Sequence, residues 1–147
     1  MSFTLDMKKF TEKATGNIEL AIKAVVAGVA ESIIEKSPVG DASYWKTPAP
    51  KGYTGGRFRG NWDYGFNAAP NAEYNVIDKS GAISKGRIEG KLAGKKMAGN
   101  VHWLANNLPY AQAIEDGHSW HQAPQGVVKL TVIKFQSIVD SAMRGIK

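Results

Sequence analysis

Apolar residues recur every three or four positions from Met7 through Phe10, Ala14, Ile18, Ile22, Val25 and Val29 to Ile33. That is the period of one face of an α-helix. The spacing predicts a long amphipathic helix over residues 5–36, with Thr4 as its N-cap and Asp6 in the first turn, where a carboxylate meets the positive end of the helix dipole. Pro38 ends it by driving Ser37 out of helical geometry. Such a helix measures about 48 Å at about 1.5 Å per residue, against a radius of gyration of about 15 Å for a compact chain of 147 residues. The stripe keeps phase through Gly16, so one end is expected to project and bury its apolar face against another chain.

The pattern then changes. Residues 37–60 hold Pro38, Pro48, Pro50 and five glycines, with Tyr44, Trp45 and Tyr53 interleaved. They read as an extended loop, longer than connectors in compact domains usually are, whose rings suit a partner. Period-two alternation follows: Trp62, Tyr64 and Phe66 within 61–67, Ala72, Tyr74 and Val76 within 72–78, and Val101, Trp103 and Ala105 within 99–106. These predict three strands in an antiparallel sheet. Residues 79–96 carry six bases, one acid and four glycines, and read as a mobile basic excursion. Pro109 and Gly117 bracket a short helix over 110–116, a brief strand is expected at 119–122, and Val128, Val132, Phe135, Val139 and Ala142 mark a C-terminal helix over 124–144. The economical packing is a single α+β domain over residues 1–147: a small antiparallel β-sheet with the long N-terminal helix and the C-terminal helix on one face.

Composition narrows the chemistry. Hydrophobic residues at 43% and charged residues at 22% are those of a folding globular chain. The absence of cysteine excludes thiolate nucleophiles, disulfides and cysteine-based metal sites, and fits synthesis in a reducing cytoplasm. No uninterrupted apolar run is long enough to span a bilayer, because Glu19, Lys23 and Glu31 interrupt the most hydrophobic stretch. The net charge is +6, and residues 37–96 hold ten bases against five acids. This allows contact with nucleic acid or an acidic protein surface.

Catalytic constellations are not evident. Glu115, Asp116, His118 and His121 form a local group of metal-capable residues, but neither a zinc-helix nor a calcium-loop spacing is present and Gly117 breaks the helix that would align them. The glycine-rich run around Gly90, Gly94 and Lys95 is one residue short of a phosphate loop and lacks the following Ser or Thr. No catalytic residue, cofactor or metal site is assigned. Lys79, Lys85, Arg87, Lys91, Lys95 and Lys96 could track phosphates, although no aromatic residue lies among them for base stacking. Arg57 and Arg59 flank Phe58 and would share a face suited to an acidic partner.

Ser37-Pro38-Val39, Gly56-Arg57-Phe58-Arg59-Gly60-Asn61-Trp62, Asn107-Leu108-Pro109-Tyr110-Ala111, Ile114-Glu115-Asp116-Gly117 and Gln122-Ala123-Pro124 occur in that order between two helices. The set resembles the tail-completion, or neck, proteins of tailed bacteriophages. That resemblance implies a non-enzymatic α+β subunit of the virion, made in the bacterial host cytoplasm. Such subunits form a homo-oligomeric ring, commonly of six copies, that completes the tail tube. The ring would contact the tail tube protein, the head-side connector or stopper protein and, transiently, packaged DNA. The resemblance places Arg57 and Arg59 at a subunit or tail interface and sets Tyr110 with Glu115 in the compact turn before the last helix, whereas Phe58 between the arginines and the loop rings Trp45 and Tyr53 are expected to face a partner from the residues alone. Residues 40–53 and the length of the basic excursion depart from the family pattern. Two other functions remain open: a nucleic-acid-binding protein acting through 79–96, and a metal-dependent hydrolase using Glu115, His118 and His121.

Overall fold

The computed structural model describes residues 3–146. Their order is α1 (Phe3–Lys36), β1 (Trp62–Phe66), α2 (Ala82–Leu92), β2 (His102–Asn106), α3 (Ala111–Glu115), α4 (Val128–Ile133) and α5 (Phe135–Arg144), with single 3-10 turns at Ala42–Tyr44 and Arg59–Asn61. This is the expected α+β class, with a long N-terminal helix, a small antiparallel sheet and helix at the C-terminal end. No helix among the described residues is long and apolar enough to cross a membrane.

The first helix is already under way at Phe3, so Thr4 lies within it and does not cap it. The side chains of Thr4, Asp6 and Phe10 lie outside the described residues. Ile22 is the first described α1 side chain packed against the core, and full burial comes only with Ala30, Ile33 and Ile34. Ile18 and Leu20 are more than half exposed. Where the helix stops, its orphan carbonyls are taken up by side chains. The Ser37 hydroxyl donates to Ile33 O at 2.7 Å, and the Arg59 guanidinium donates to the carbonyls of Glu35 and Ser37. Trp62 Nε1 in turn donates to Ser37 Oγ at 2.7 Å. The helix end and the start of the sheet are therefore one hydrogen-bonded unit.

β1 pairs antiparallel with β2, Tyr64 opposite Leu104. The predicted third strand is not one. Residues 72–77 keep the period-two burial, with Ala72, Tyr74 and Val76 inward, but form no ladder. Asn61 intervenes: its side-chain amide donates to Tyr74 O and accepts from Tyr74 N. Asn107 likewise donates to the carbonyls of Pro70 and Ala72. Amide side chains thus occupy backbone groups that a neighbouring strand would have paired.

The basic excursion is corrected more sharply. Eleven of its residues form α2, which buries Ser84, Ile88 and Leu92 at a four-residue spacing against β1 and α1. Gly86 and Gly90 lower its helix propensity but meet nothing within 4 Å, so they face open space. Tertiary burial supplies what propensity withholds. Asp78, itself buried, starts the helix by accepting from the N–H groups of Gly81 and Ser84.

The C-terminal helix is also revised. Residues 124–126 turn instead of winding, Gly126 taking a φ of 80° that only glycine adopts freely. The helical path then breaks at Lys134, between α4 and α5. The brief strand expected at 119–122 is a turn closed by Ala123 N donating to Ser119 O. The short helix runs from Ala111, with Tyr110 at its cap position, as the Pro109 and Gly117 brackets predicted within a residue. The core gathers the end of α1, Phe58, β1, α2, Met97, Leu108, Ala123 and Val127.

Candidate functional site

The inserted loop after α1 and the turn after α3 enclose an open groove of about 800 Å³, in the size range of ligand pockets. Its floor holds Phe58, Val39 and Ile114. Three sets of ring contacts line it. Trp45 lies 4.6 Å from Tyr53, and Tyr110 lies 6.4 Å from the Phe58 ring, each pair tilted. His121 lies between two rings, stacked on Tyr44 at 4.0 Å and tilted against Trp120 at 3.9 Å. Of the sequence-predicted partner residues, Trp45, Tyr53, Arg57, Phe58 and Tyr110 come together here.

The loop is attached at its root. Gln122 Oε1 accepts from the N–H groups of Val39 and Gly40, and Gly56 N donates to Val39 O. A Cβ on Gly55 would stand 2.3 Å from Val39 O, so that crossing admits only glycine. Burial raises the Tyr110 phenol above its ordinary pKa, Arg57 pulling the other way. Burial also raises Tyr53, helped by the charge of Asp41. Both hydroxyls therefore stay protonated donors. Arg57 pairs with Glu73 at 2.6 Å on the exposed rim.

Arg59 and Glu115 lie elsewhere and do other work. Arg59 caps α1 and donates to Lys79 O, so it does not share a partner-facing surface with Arg57. Glu115 caps α4, its carboxylate accepting from the N–H groups of Val127, Val128 and Lys129 at 2.9 Å each. A carboxylate there also faces the positive end of the helix dipole. The metal-capable group is likewise divided: Glu115 holds α4, Asp116 accepts from Gln112, and His121 lies between the Tyr44 and Trp120 rings.

Half of the basic set is engaged within the chain. Lys91 pairs at 2.7 Å with Asp63, a carboxylate 1% exposed. Burial by itself would raise that carboxyl, but hydrogen bonds from Lys91, Tyr74 and the Tyr64 N–H outweigh it and hold Asp63 below the usual carboxylate range. Arg87 donates to the carbonyls of Gly60 and Trp62 while its guanidinium lies 3.6 Å from the centroid of the Tyr74 ring. Lys85 reaches Glu31 at 3.4 Å on the surface. Lys79, Lys95 and Lys96 are exposed, Lys95 lying over the Phe66 ring.

His102, the first residue of β2, is a satisfied structural residue. Its Nδ1 is 2.8 Å from Tyr64 Oη and its Nε2 is 2.8 Å from Met97 O, so the tautomer protonated at Nε2 meets both. Sequence reading missed Trp120, His121 and Gln122 as groove residues, because that stretch drew attention for metal chemistry. The dense aromatic character of residues 118–121, next to a glycine turn, was the available signal. No protein-family model, no curated protein and no solved structure matches this chain.

Proposed function

We propose that this chain is a structural subunit of a tailed-bacteriophage virion, forming with copies of itself a ring that completes the tail tube and joins it to the head connector. The observation that carries the reading is an apolar surface left uncovered beside the long helix. The C-terminal stripe expected to enter the core instead exposes Val132 at 66%, with Ile133 beside it at 78%. Phe135 and Met143 are about half exposed, and α1, against which α4 and α5 pack, leaves Ile18 and Leu20 outside. Apolar surface of this kind marks association sites. A closed ring needs two different faces on each subunit, and the outer edge of β2, unpaired in a two-stranded sheet, supplies a second.

The full chain is therefore expected to sediment as a closed oligomer and to appear as rings by negative-stain electron microscopy. Replacing Val132 and Ile133 together by glutamate should yield monomers with an unchanged circular dichroism spectrum. A wild-type chain that stays monomeric at high concentration would count decisively against the proposal. The competing nucleic-acid reading predicts duplex DNA binding that weakens steeply with salt. The internal engagement of Arg87 and Lys91 speaks against it.

A further inference from the structure

The two sides of the sheet are finished differently. Asn67 N donates to Val101 O at 2.8 Å, which sets the alternation of the ladder: Gly65 faces Trp103, and Asp63 faces Ala105, through hydrogen bonds. The backbone groups of Trp62 and Tyr64 therefore turn outward on the β1 side, and those of His102 and Leu104 turn outward on the β2 side. On the β1 side they are met by side chains. Trp62 O accepts from Arg87 Nη1 at 2.8 Å, and Tyr64 N donates to Asp63 Oδ1 at 2.8 Å. On the β2 side nothing meets them among the described residues. The strand His102–Asn106 holds no proline, lysine or carboxylate to blunt that edge, and Val101 and Trp103 on it are exposed.

A second open edge lies in residues 72–77. Tyr74 N and O are held by the Asn61 amide, and Ala72 O by Asn107. In extended chain the intervening residues point their backbone groups the other way. No group of the described residues meets those of Glu73, Asn75 or Ile77, whose side chains are also exposed. The stretch has the hydrogen-bonding surface of a strand, occupied on its inner side and unpaired on its outer side.

We infer that these two edges meet between copies of the chain: β2 of one subunit adds along residues 73–77 of the next. Strand addition to an open edge gains main-chain hydrogen bonds for both partners. Charge agrees. Residues 71–78 carry Glu73 and Asp78 and no base, whereas residues 95–106 carry Lys95 and Lys96 and no acid. Of these, Glu73, Lys95 and Lys96 are exposed. A β2 edge paired with another β2 edge would join two copies and stop, because a two-fold contact uses the same patch on both. Unlike edges repeat from copy to copy, as a closed ring requires. Asn75 and Ile77 also stand in the groove wall, so the added strand covers one side of the groove. The inference rests on the assembly reading above and names the contact that makes it.

The chain has no cysteine, so introduced thiols report without background. Leu104 and Asn75 are the middle residues of the two edges and stand opposite whether the strands run parallel or antiparallel. The test is oxidation of full-length Leu104→Cys, Asn75→Cys and the double variant, read on non-reducing gels. Neither single variant should cross-link with itself, an equal mixture of the two should give a covalent dimer, and the double variant should give a ladder ending at the ring size. In a second arm, Asn75→Pro removes an N–H that has no bond within the chain and should weaken assembly about tenfold or more with an unchanged circular dichroism spectrum. Asn75→Ala keeps that N–H and should assemble as the parent does. Self-cross-linking of Leu104→Cys, a double variant that forms rings without a ladder, or undiminished assembly of Asn75→Pro would overturn the pairing and leave the assembly reading standing. A ladder from open filaments keeps the pairing and sinks the closed ring. A parent chain that stays monomeric sinks both.

Discussion

The surroundings of Asp63 and the groove beside Tyr110 treat their side chains in opposite ways. Around Asp63, a charge is buried and every partner it needs is within the chain: Lys91, the Tyr74 hydroxyl and the Tyr64 N–H. Around Tyr110, rings that could have built a core remain in contact with solvent, and their donors lack acceptors. The difference separates stability from recognition. Charged residues that look available in the sequence, such as Arg87 and Lys91, are consumed by folding, and the aromatic residues of the loop are kept at the surface.

The contrast is most open to attack through its tryptophans. Trp62→Ala removes a ring 5% exposed together with its hydrogen bond to Ser37 and should lower unfolding free energy by about 3–5 kcal/mol. Trp120→Ala, in the groove, should cost less than about 0.5 kcal/mol. Urea denaturation decides, and matching losses would erase the distinction. Next in size is Asp63→Asn, expected to destabilise by about 2–3 kcal/mol because Lys91 and Tyr74 lose a charged acceptor.

The same carboxyl gives a pH signature. Its folded-state pKa lies below the unfolded one, so its contribution is complete above about pH 4 and is lost as pH falls through the folded value. Acid denaturation followed by circular dichroism should accordingly show a shallower decline below that pH in Asp63→Asn than in the parent. A smaller effect, about 1 kcal/mol, is expected for Glu115→Gln, which weakens the acceptor of three N–H groups at the start of α4. It should appear as earlier hydrogen exchange at Val127 to Lys129. Smallest is Lys85→Gln: its pair with Glu31 is half exposed, so thermal melting should register less than about 0.5 kcal/mol.

Periodicity revealed much of this fold and misled where side chains replaced backbone pairing. The long helix, the aromatic strand and the bracketed α3 followed from spacing, because each depends on local geometry. The third strand failed because Asn61 and Asn107 take the place of a ladder, and nothing local marks an asparagine that will reach thirteen or thirty-five residues away. α2 was missed because its glycines and lysines mask a sparse buried face of Ser84, Ile88 and Leu92 that acquires meaning only against β1. In the candidate site, the loop rings were legible as aromatics in unusual context, whereas Tyr110 entered only through the family resemblance. Arg59 and Glu115 were not legible, since a residue that caps a helix distant in sequence looks the same as one awaiting a partner.

The attachment of the inserted loop has a further consequence. Gln122 and Gly55 secure its two ends to the scaffold, while the stretch between them is largely solvent-facing and contributes no buried core side chain. Loop length is thermodynamically cheap under those conditions. The stretch behaves as a replaceable cassette, in which a lineage can rewrite what the groove accepts while the surrounding architecture stays as it was.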